Sequence, residues 1–312
     1  MKILLTGGCG YIGTNLTNAL LDLGHHITVV DIMWFGNYLN NHENLDIIQA
    51  DIRDIEKIPM DGVDTVIHLA NIANDPTGDL NSRLTWEVNA LSSKFLIEKA
   101  IDKNVKQFIF ASSGSVYGIK EELQVTEDLP LVPITDYNKT KMISERVLLS
   151  YQDKIKLHII RPATVCGYSP RMRLDLSVSL LTMHALTKGK ITVFGGKQIR
   201  PNIHINDMVS IYIHFLDDGP ADAGIYNAGF ENISILDIAN KVCNQIPSEI
   251  NVTESDDPRS YRLNSDKLLK TGFQPKWNVD NGIQEVINAY QESKFKDEDR
   301  YYNMKIMMKL FG

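Results

Sequence analysis

Tyr137 and Lys141 stand four residues apart in Tyr137-Asn138-Lys139-Thr140-Lys141. On a helix this spacing puts both side chains on one face. An ammonium near a phenol favours the phenolate and lowers the tyrosine's pKa from about 10 toward working pH. Tyr137 is therefore a candidate acid/base for an alcohol or sugar hydroxyl. A second stretch, Ala111-Ser112-Ser113-Gly114-Ser115-Val116-Tyr117-Gly118, follows an apolar run that suits a buried strand. Its Ser113 is the candidate for polarising the same hydroxyl oxygen. Removing a hydroxyl proton is half of an alcohol oxidation, and the other half needs a hydride acceptor. Alone, Tyr-x-x-x-Lys is equally a surface helix pair, so the acceptor must be sought elsewhere in the chain.

The first thirty-one residues supply a place for one. Lys2 to Thr6 reads as a short buried strand, Gly7-Gly8-Cys9-Gly10-Tyr11-Ile12-Gly13 as a turn, and Ile12, Leu16, Ala19, Leu20 and Leu23 as the apolar face of a helix that stops at Gly24. His25 to Val30 is a second apolar run, ending on Asp31. In Gly7-x-x-Gly10-x-x-Gly13, one glycine allows the sharp turn, one lets a pyrophosphate approach the backbone, and one lets helix and strand pack closely. The helix start, at Tyr11 and Ile12, presents unpaired N–H groups to the phosphates. Strand before, helix after and an acid closing the second strand make this a dinucleotide fingerprint. Asp31 can accept both ribose hydroxyls of NAD and would repel the 2′-phosphate of NADP, so NAD is expected.

The elements that must position these groups alternate along the chain. Leu45–Gln49 reads as a third strand, and Asp51-Ile52 after it could meet an adenine, Asp51 at its amino group and Ile52 over its ring. A plain strand-end turn explains Asp51 equally well. Asp64–Leu69 reads as a fourth strand. Small residues after Leu69, beginning with Ala70, would let the backbone pass near a cofactor, whereas His68 reads as a packed strand residue. Asp79–Lys103 reads as one long helix, with Asn89 inside its apolar stripe and so in need of a buried partner. Strands at Val105–Ala111 and Lys154–Ile160 flank a helix at Asp136–Tyr151. This alternation predicts an α/β fold, a doubly wound parallel Rossmann sheet covered on both faces. Beyond Arg161-Pro162 the pattern changes, with helices at Ser177–Lys188, Ser234–Gln245, Asn264–Lys270 and Asp280–Lys294. Short strands are expected at Ile191–Phe194 and Ile225–Ala228, the latter returning to the sheet. The expected division is a nucleotide-binding lobe of residues 1–165 plus about 207–230, and a smaller α/β substrate-binding lobe of 166–206 plus about 231–312. The charged, then Met-rich, stretch from Asp297 could dock on the body or on a partner subunit.

Composition narrows the class. The chain has 312 residues, 43% apolar and 23% charged, with a net charge of −7, which argues against a general nucleic-acid surface. No run approaches the roughly 18 apolar residues of a membrane span, and the first strand begins at once, leaving no room for a signal peptide. Three dispersed cysteines suggest reduced thiols in a cytoplasm. No metal-ligand spacing is present among the eight histidines.

Taken together, these segments resemble the extended short-chain dehydrogenase/reductases, the NAD-dependent epimerase/dehydratase group that modifies nucleotide-sugars. The resemblance spans essentially the whole chain. It rests on Thr6 to Gly13, Asp51-Ile52, His68-Leu69-Ala70, Asn89, Ser112 to Gly118, Tyr137 with Lys141, Arg161-Pro162 and Arg200-Pro201-Asn202-Ile203-His204-Ile205-Asn206-Asp207. It implies Ser113, Tyr137 and Lys141 as the catalytic trio. The implied NAD contacts are Gly7, Gly10, Tyr11, Ile12, Gly13, Asp31, Asp51, Ile52, Leu69, Ala70 and Asn89, with Tyr137 and Lys141 also reaching the cofactor. It further implies a homodimer formed through the two long helices. Family 4,6-dehydratases carry an Asp-Glu pair where this chain has Gly114-Ser115, and the sugar-acid decarboxylases a glutamate at the place of Ser115. Without those acids, elimination and decarboxylation are disfavoured. What remains is a nucleotide-sugar 4-epimerase working through a transient keto-sugar, a one-way dehydrogenase or 4-keto reductase, or a non-catalytic NAD-binding protein. Asp31 favours the epimerase, which keeps its NAD.

Ser115 and Thr164 are candidate sugar contacts, Thr164 standing where galactose-type epimerases often have an asparagine. The turn Asn74-Asp75-Pro76 and Trp86 are further candidates. Among Arg171, Arg173, Arg200, Arg259 and Arg262, whose guanidinium forks suit phosphate oxygens, Arg200 and Arg259 are the choices for a substrate diphosphate.

Overall fold

The computed structural model describes residues 1–216, 222–255 and 260–312. The strands β1 (Lys2–Thr6), β2 (His26–Asp31), β3 (Leu45–Gln49), β4 (Thr65–His68), β5 (Gln107–Ala111) and β6 (Lys156–Pro162) form a parallel sheet with β10 (Gly224–Ala228). β7 (Thr164–Cys166), β8 (Lys190–Phe194) and β9 (Ile199–His204) lie between β6 and β10, and β11 (Glu231–Ser234) and β12 (Glu249–Thr253) follow. The large sheet runs β3-β2-β1-β4-β5-β6-β10, every neighbouring pair parallel. Strand order therefore reverses between β1 and β4, and a ligand crevice is expected at their carboxyl ends. Every residue of β4 and β5 is buried, as central strands covered on both faces require.

Helix Tyr11–Asp22 buries Leu16, Leu20 and Leu21 against the sheet. Each such leucine contributes about 1.5–3 kcal/mol. The predicted helix Asp79–Lys103 is instead broken. A short helix Asp75–Leu80 ends at Asn81, whose side chain accepts from the Leu84 N–H at 3.0 Å and so caps a new start. Glu87–Leu91 then forms one π-helical turn before Ser92–Asp102. Helix Asp136–Leu149 packs alongside, with Thr135 as its N-cap.

Two smaller sheets follow. One has the order β11-β9-β7, the other pairs β8 with β12 in parallel. Helices Ser177–Lys188 and Ile235–Gln245 cover β8 and helix Val279–Gln291 packs on both of them, around a core that includes Val178, Ile191, Val242 and Ile283. β7, β9, β11 and β12 are absent from the elements expected from the sequence; β7 and β11, at three and four residues, are too short to show a period, and β9 and β12 carry polar residues that break an apolar run. Helix Asn303–Phe311 docks on the body, Met307 packing into the core beside the large sheet. Among the described residues no helix is long and apolar enough to cross a membrane.

Candidate active site

The glycine turn is built as its spacing demands. Gly7 has φ +77°, and a Cβ there would lie 2.6 Å from the Ala70 nitrogen. A Cβ on Gly13 would lie 2.2 Å from the Gly7 carbonyl oxygen. Only glycine lets the helix start this close to the turn and to the end of β4. Asp31 ends β2 with one carboxylate oxygen accepting from Cys9 N–H at 3.0 Å and the other from Met33 N–H at 2.7 Å. Burial raises its pKa, opposed by those two N–H groups and by the charge of Arg171. The remaining lone pairs are available for ligand hydroxyls.

A cavity of about 380 Å³ joins this region to the serine segment. Gly7, Gly10, Tyr11, Ile12, Gly13, Asp31, Asp51, Ile52, Leu69 and Ala70 line it at one end, and Ser113, Ser115, Tyr137, Thr164 and Arg200 also contribute to its wall. Asp51 is held by its neighbour, accepting from the Arg53 N–H at 2.9 Å and from the Arg53 side chain. Asn74 and Asp75 line the cavity too, but Trp86 does not. Trp86 lies instead on an outer face with Ala90, Leu91, Ile143 and Val147, away from the sugar position expected for it. Arg259 falls outside the described residues.

Ser113 Oγ lies 2.7 Å from Ser115 Oγ, which donates to Asn138 Oδ1. Ser113 also hydrogen-bonds Tyr137. The expected effect of Lys141 on Tyr137 is corrected by the structure. Burial pushes the Tyr137 phenol up to about 12, and the Ser113 hydrogen bond offsets this only in part. Lys141 is itself buried, lies 6.0 Å from the Tyr137 ring centre and donates to the Ala111 carbonyl oxygen at 2.7 Å. Burial draws its pKa down to about 7, with Glu145 opposing. At neutral pH Lys141 is therefore only partly protonated, and it does not line the cavity.

Asn89 is also absent from that wall. It lies in the π-helical turn, accepts from Ile72 N–H at 2.8 Å and donates to Ile72 O at 3.1 Å, bracing the backbone that leaves β4. Behind the serine segment lies a buried network. Arg161 donates to Glu145 through Nε at 2.9 Å and through a terminal nitrogen at 2.6 Å, and to Tyr117 Oη at 2.7 Å. Tyr117 donates to Asn227 Oδ1 at 2.8 Å, and Ser112 Oγ donates to Glu145. Glu145 and Asn227 carried no sequence signal, since nothing in their spacing marks them as partners of Arg161.

A glycine cradle that any Cβ would fill, an acid at the end of β2 and a cavity leading to a serine and a tyrosine fit a dinucleotide with a hydroxylated substrate beside it. The comparisons agree. The sequence profile of the NAD dependent epimerase/dehydratase family matches residues 3–229. A UDP-glucose 4-epimerase of Lactobacillus helveticus is 30% identical over 91% of this chain and 95% of its own length. UDP-glucuronic acid decarboxylase 1 of Danio rerio is 27% identical over 93% of this chain and 72% of its own. The structure of a UDP-glucose 4-epimerase from Thermotoga maritima with UDP-glucose superposes with a TM-score of 0.85 at 24% identity, covering 94% of this chain and 99% of that one. The chain belongs to the NAD dependent epimerase/dehydratase family. It is an NAD-dependent enzyme of the group that modifies nucleotide-sugars.

Proposed function

We propose that the protein is a nucleotide-sugar 4-epimerase. The carrying observation is the chemistry beside Tyr137. Ser113 and Ser115 line the cavity there, and Gly114 between them brings no carboxylate; a Cβ at Gly114 would lie 3.1 Å from Pro162 O, so any larger residue would crowd that carbonyl. The nearby acid in the cavity wall, Asp75, accepts a hydrogen bond from Thr135 Oγ1 at 2.8 Å. This supports simple redox chemistry over elimination or decarboxylation.

In this reading Tyr137 Oη takes the proton of the sugar hydroxyl as a phenolate, a form that the positive charge of bound NAD would favour against the burial that raises the phenol's pKa in the NAD-free chain, and Ser113 Oγ holds the same oxygen. When bound, NAD supplies a reversible hydride acceptor at the carbinol carbon. Lys141 fixes the backbone at Ala111 that carries Ser113. The cavity lets the keto-sugar turn, and Tyr137 returns its proton after the hydride re-enters from the other face. Arg200 and Thr164 are proposed substrate contacts, and UDP-sugars are the first substrates to try, because the relatives named above act on them. The exposed apolar surface of Trp86 and Leu91, with Phe95 nearby, supports a homodimer through helices Ser82–Asp102 and Asp136–Leu149. A cytoplasmic location accords with three free cysteines.

The test is Tyr137→Phe on a confirmed substrate. The proposal expects turnover to fall by about 10²–10⁴-fold with the fold intact, the usual contribution of a positioned acid/base. Full turnover in that variant would refute the role.

A further inference from the structure

Arg171 is 2% exposed and lines the cofactor cavity, yet its hydrogen-bond partners are neutral. One terminal nitrogen donates to Asn303 Oδ1 at 2.6 Å and the other to Met172 O at 3.2 Å. Its Nε is buried with no hydrogen-bond partner. The guanidinium lies over the Phe35 ring at 4.2 Å, in the loop that leaves Asp31. Arg173, two residues on, is different: Asp175 holds it at 2.9 and 3.1 Å. A buried cation with an unused donor is costly unless an anion completes it.

Asn303, which orients Arg171, opens the helix Asn303–Phe311. That helix packs between two segments that contribute to the cavity wall, the loop at Trp34 and Phe35 and the helix Asp75–Leu80. On one side Met307 packs in the core with Val30 and Ile52, and the Phe311 ring meets the Trp34 ring edge-on at 5.1 Å. On the other side the helix packs against helix Asp75–Leu80. Asn303 itself is part of the cavity wall.

We propose that Arg171, oriented by Asn303, binds the diphosphate of NAD, and that helix Asn303–Phe311 straps the cofactor into its cleft so that it stays bound between turnovers. The glycine cradle and Arg171 line the same cavity, so both would hold the diphosphate of a bound NAD. The place of Arg171 over Phe35, beside Asp31, assigns it to the cofactor's diphosphate rather than to the substrate's. The strap accounts for how an enzyme that needs no cofactor exchange keeps its NAD.

The proposal rests on NAD as the resident cofactor, and its test needs no turnover, so failure to epimerise a sugar leaves it intact. Full-length protein is loaded with NAD and desalted, and release is followed as NAD per chain during a chase with excess NADH. UDP affinity is measured in parallel by calorimetry. Arg171→Met, which keeps the packing on Phe35, and Asn303→Ala should each release NAD at least about tenfold faster, the effect of losing a hydrogen bond to a charged group, with UDP affinity within about twofold of wild type. Weakened UDP binding with unchanged NAD release would give Arg171 to the substrate and overturn the proposal, as would no change in either. If Arg171→Met fails to fold, Phe311→Ala carries the test, because that ring is 36% exposed. Release no faster than wild type in that variant would rule out the strap.

Discussion

The Lys141 ammonium is bonded to the Ala111 carbonyl oxygen at 2.7 Å, two residues before Ser113. The lysine thus anchors the backbone on which the serine stands, and its burial has a pH signature. Its pKa is about 7 in the folded protein, against 10.5 when unperturbed. Between these values the unfolded chain holds a proton that the folded chain does not. Stability from this residue must therefore rise with pH across that window and be lost as pH falls toward 7. Urea unfolding of NAD-free wild type and Lys141→Met, compared from pH 7 to 10, should show wild type gaining relative to the variant. A constant difference would contradict the shifted lysine.

Glu145 and Arg161 form a buried two-pronged pair whose side chains are 1% and 3% exposed. Glu145→Gln leaves the guanidinium without its countercharge and should cost about 3–5 kcal/mol of unfolding free energy. Adding Arg161→Met should recover part of that loss, since both charges are then gone. Denaturant unfolding of the two variants measures it, and a loss under about 1 kcal/mol for Glu145→Gln would deny the pair its role.

With NAD absent, Tyr137 should remain a phenol through neutral and mildly alkaline pH, because burial pushes its pKa up to about 12. The difference in phenolate absorbance between wild type and Tyr137→Phe should stay flat until the pH approaches that value. A phenolate signal appearing near pH 7–8 in NAD-free protein would restore the simpler picture in which the lysine alone activates the tyrosine.

What could be read from the sequence was local. The glycine spacing, Asp31, the serine segment and Tyr137 declare themselves within a few residues of a strand end or helix start. The parallel sheet followed from alternating periods, including the late strand at Gly224–Ala228. What could not be read depends on distant parts of the chain meeting. Asn303 reaches Arg171 across 132 positions. The Tyr137 pKa is set by burial, which helical spacing cannot express. Asn81 broke the expected long helix through a cap that a continuous apolar stripe concealed.

Two glycines of the cradle, Gly13 and Gly10, should differ in tolerance. Gly13→Ala places a Cβ 2.2 Å from Gly7 O, whereas in Gly10→Ala the same oxygen is 3.1 Å away. Gly13→Ala should lose most of its bound NAD and unfold at lower denaturant, and Gly10→Ala should be the milder change. NAD per chain after desalting and a denaturant midpoint would check both. The reverse order would mean that the close approach at Gly13 does not build the cradle.

The central claim is epimerisation with a resident cofactor. The direct measurement is an incubation of purified protein with UDP-, GDP-, CDP- and dTDP-sugars, without added NAD, followed by NMR of the sugar. The account predicts inversion at C4 of at least one of them, with no net NADH. Oxidised or reduced sugar appearing only when cofactor is supplied would contradict it and leave a one-way dehydrogenase or reductase.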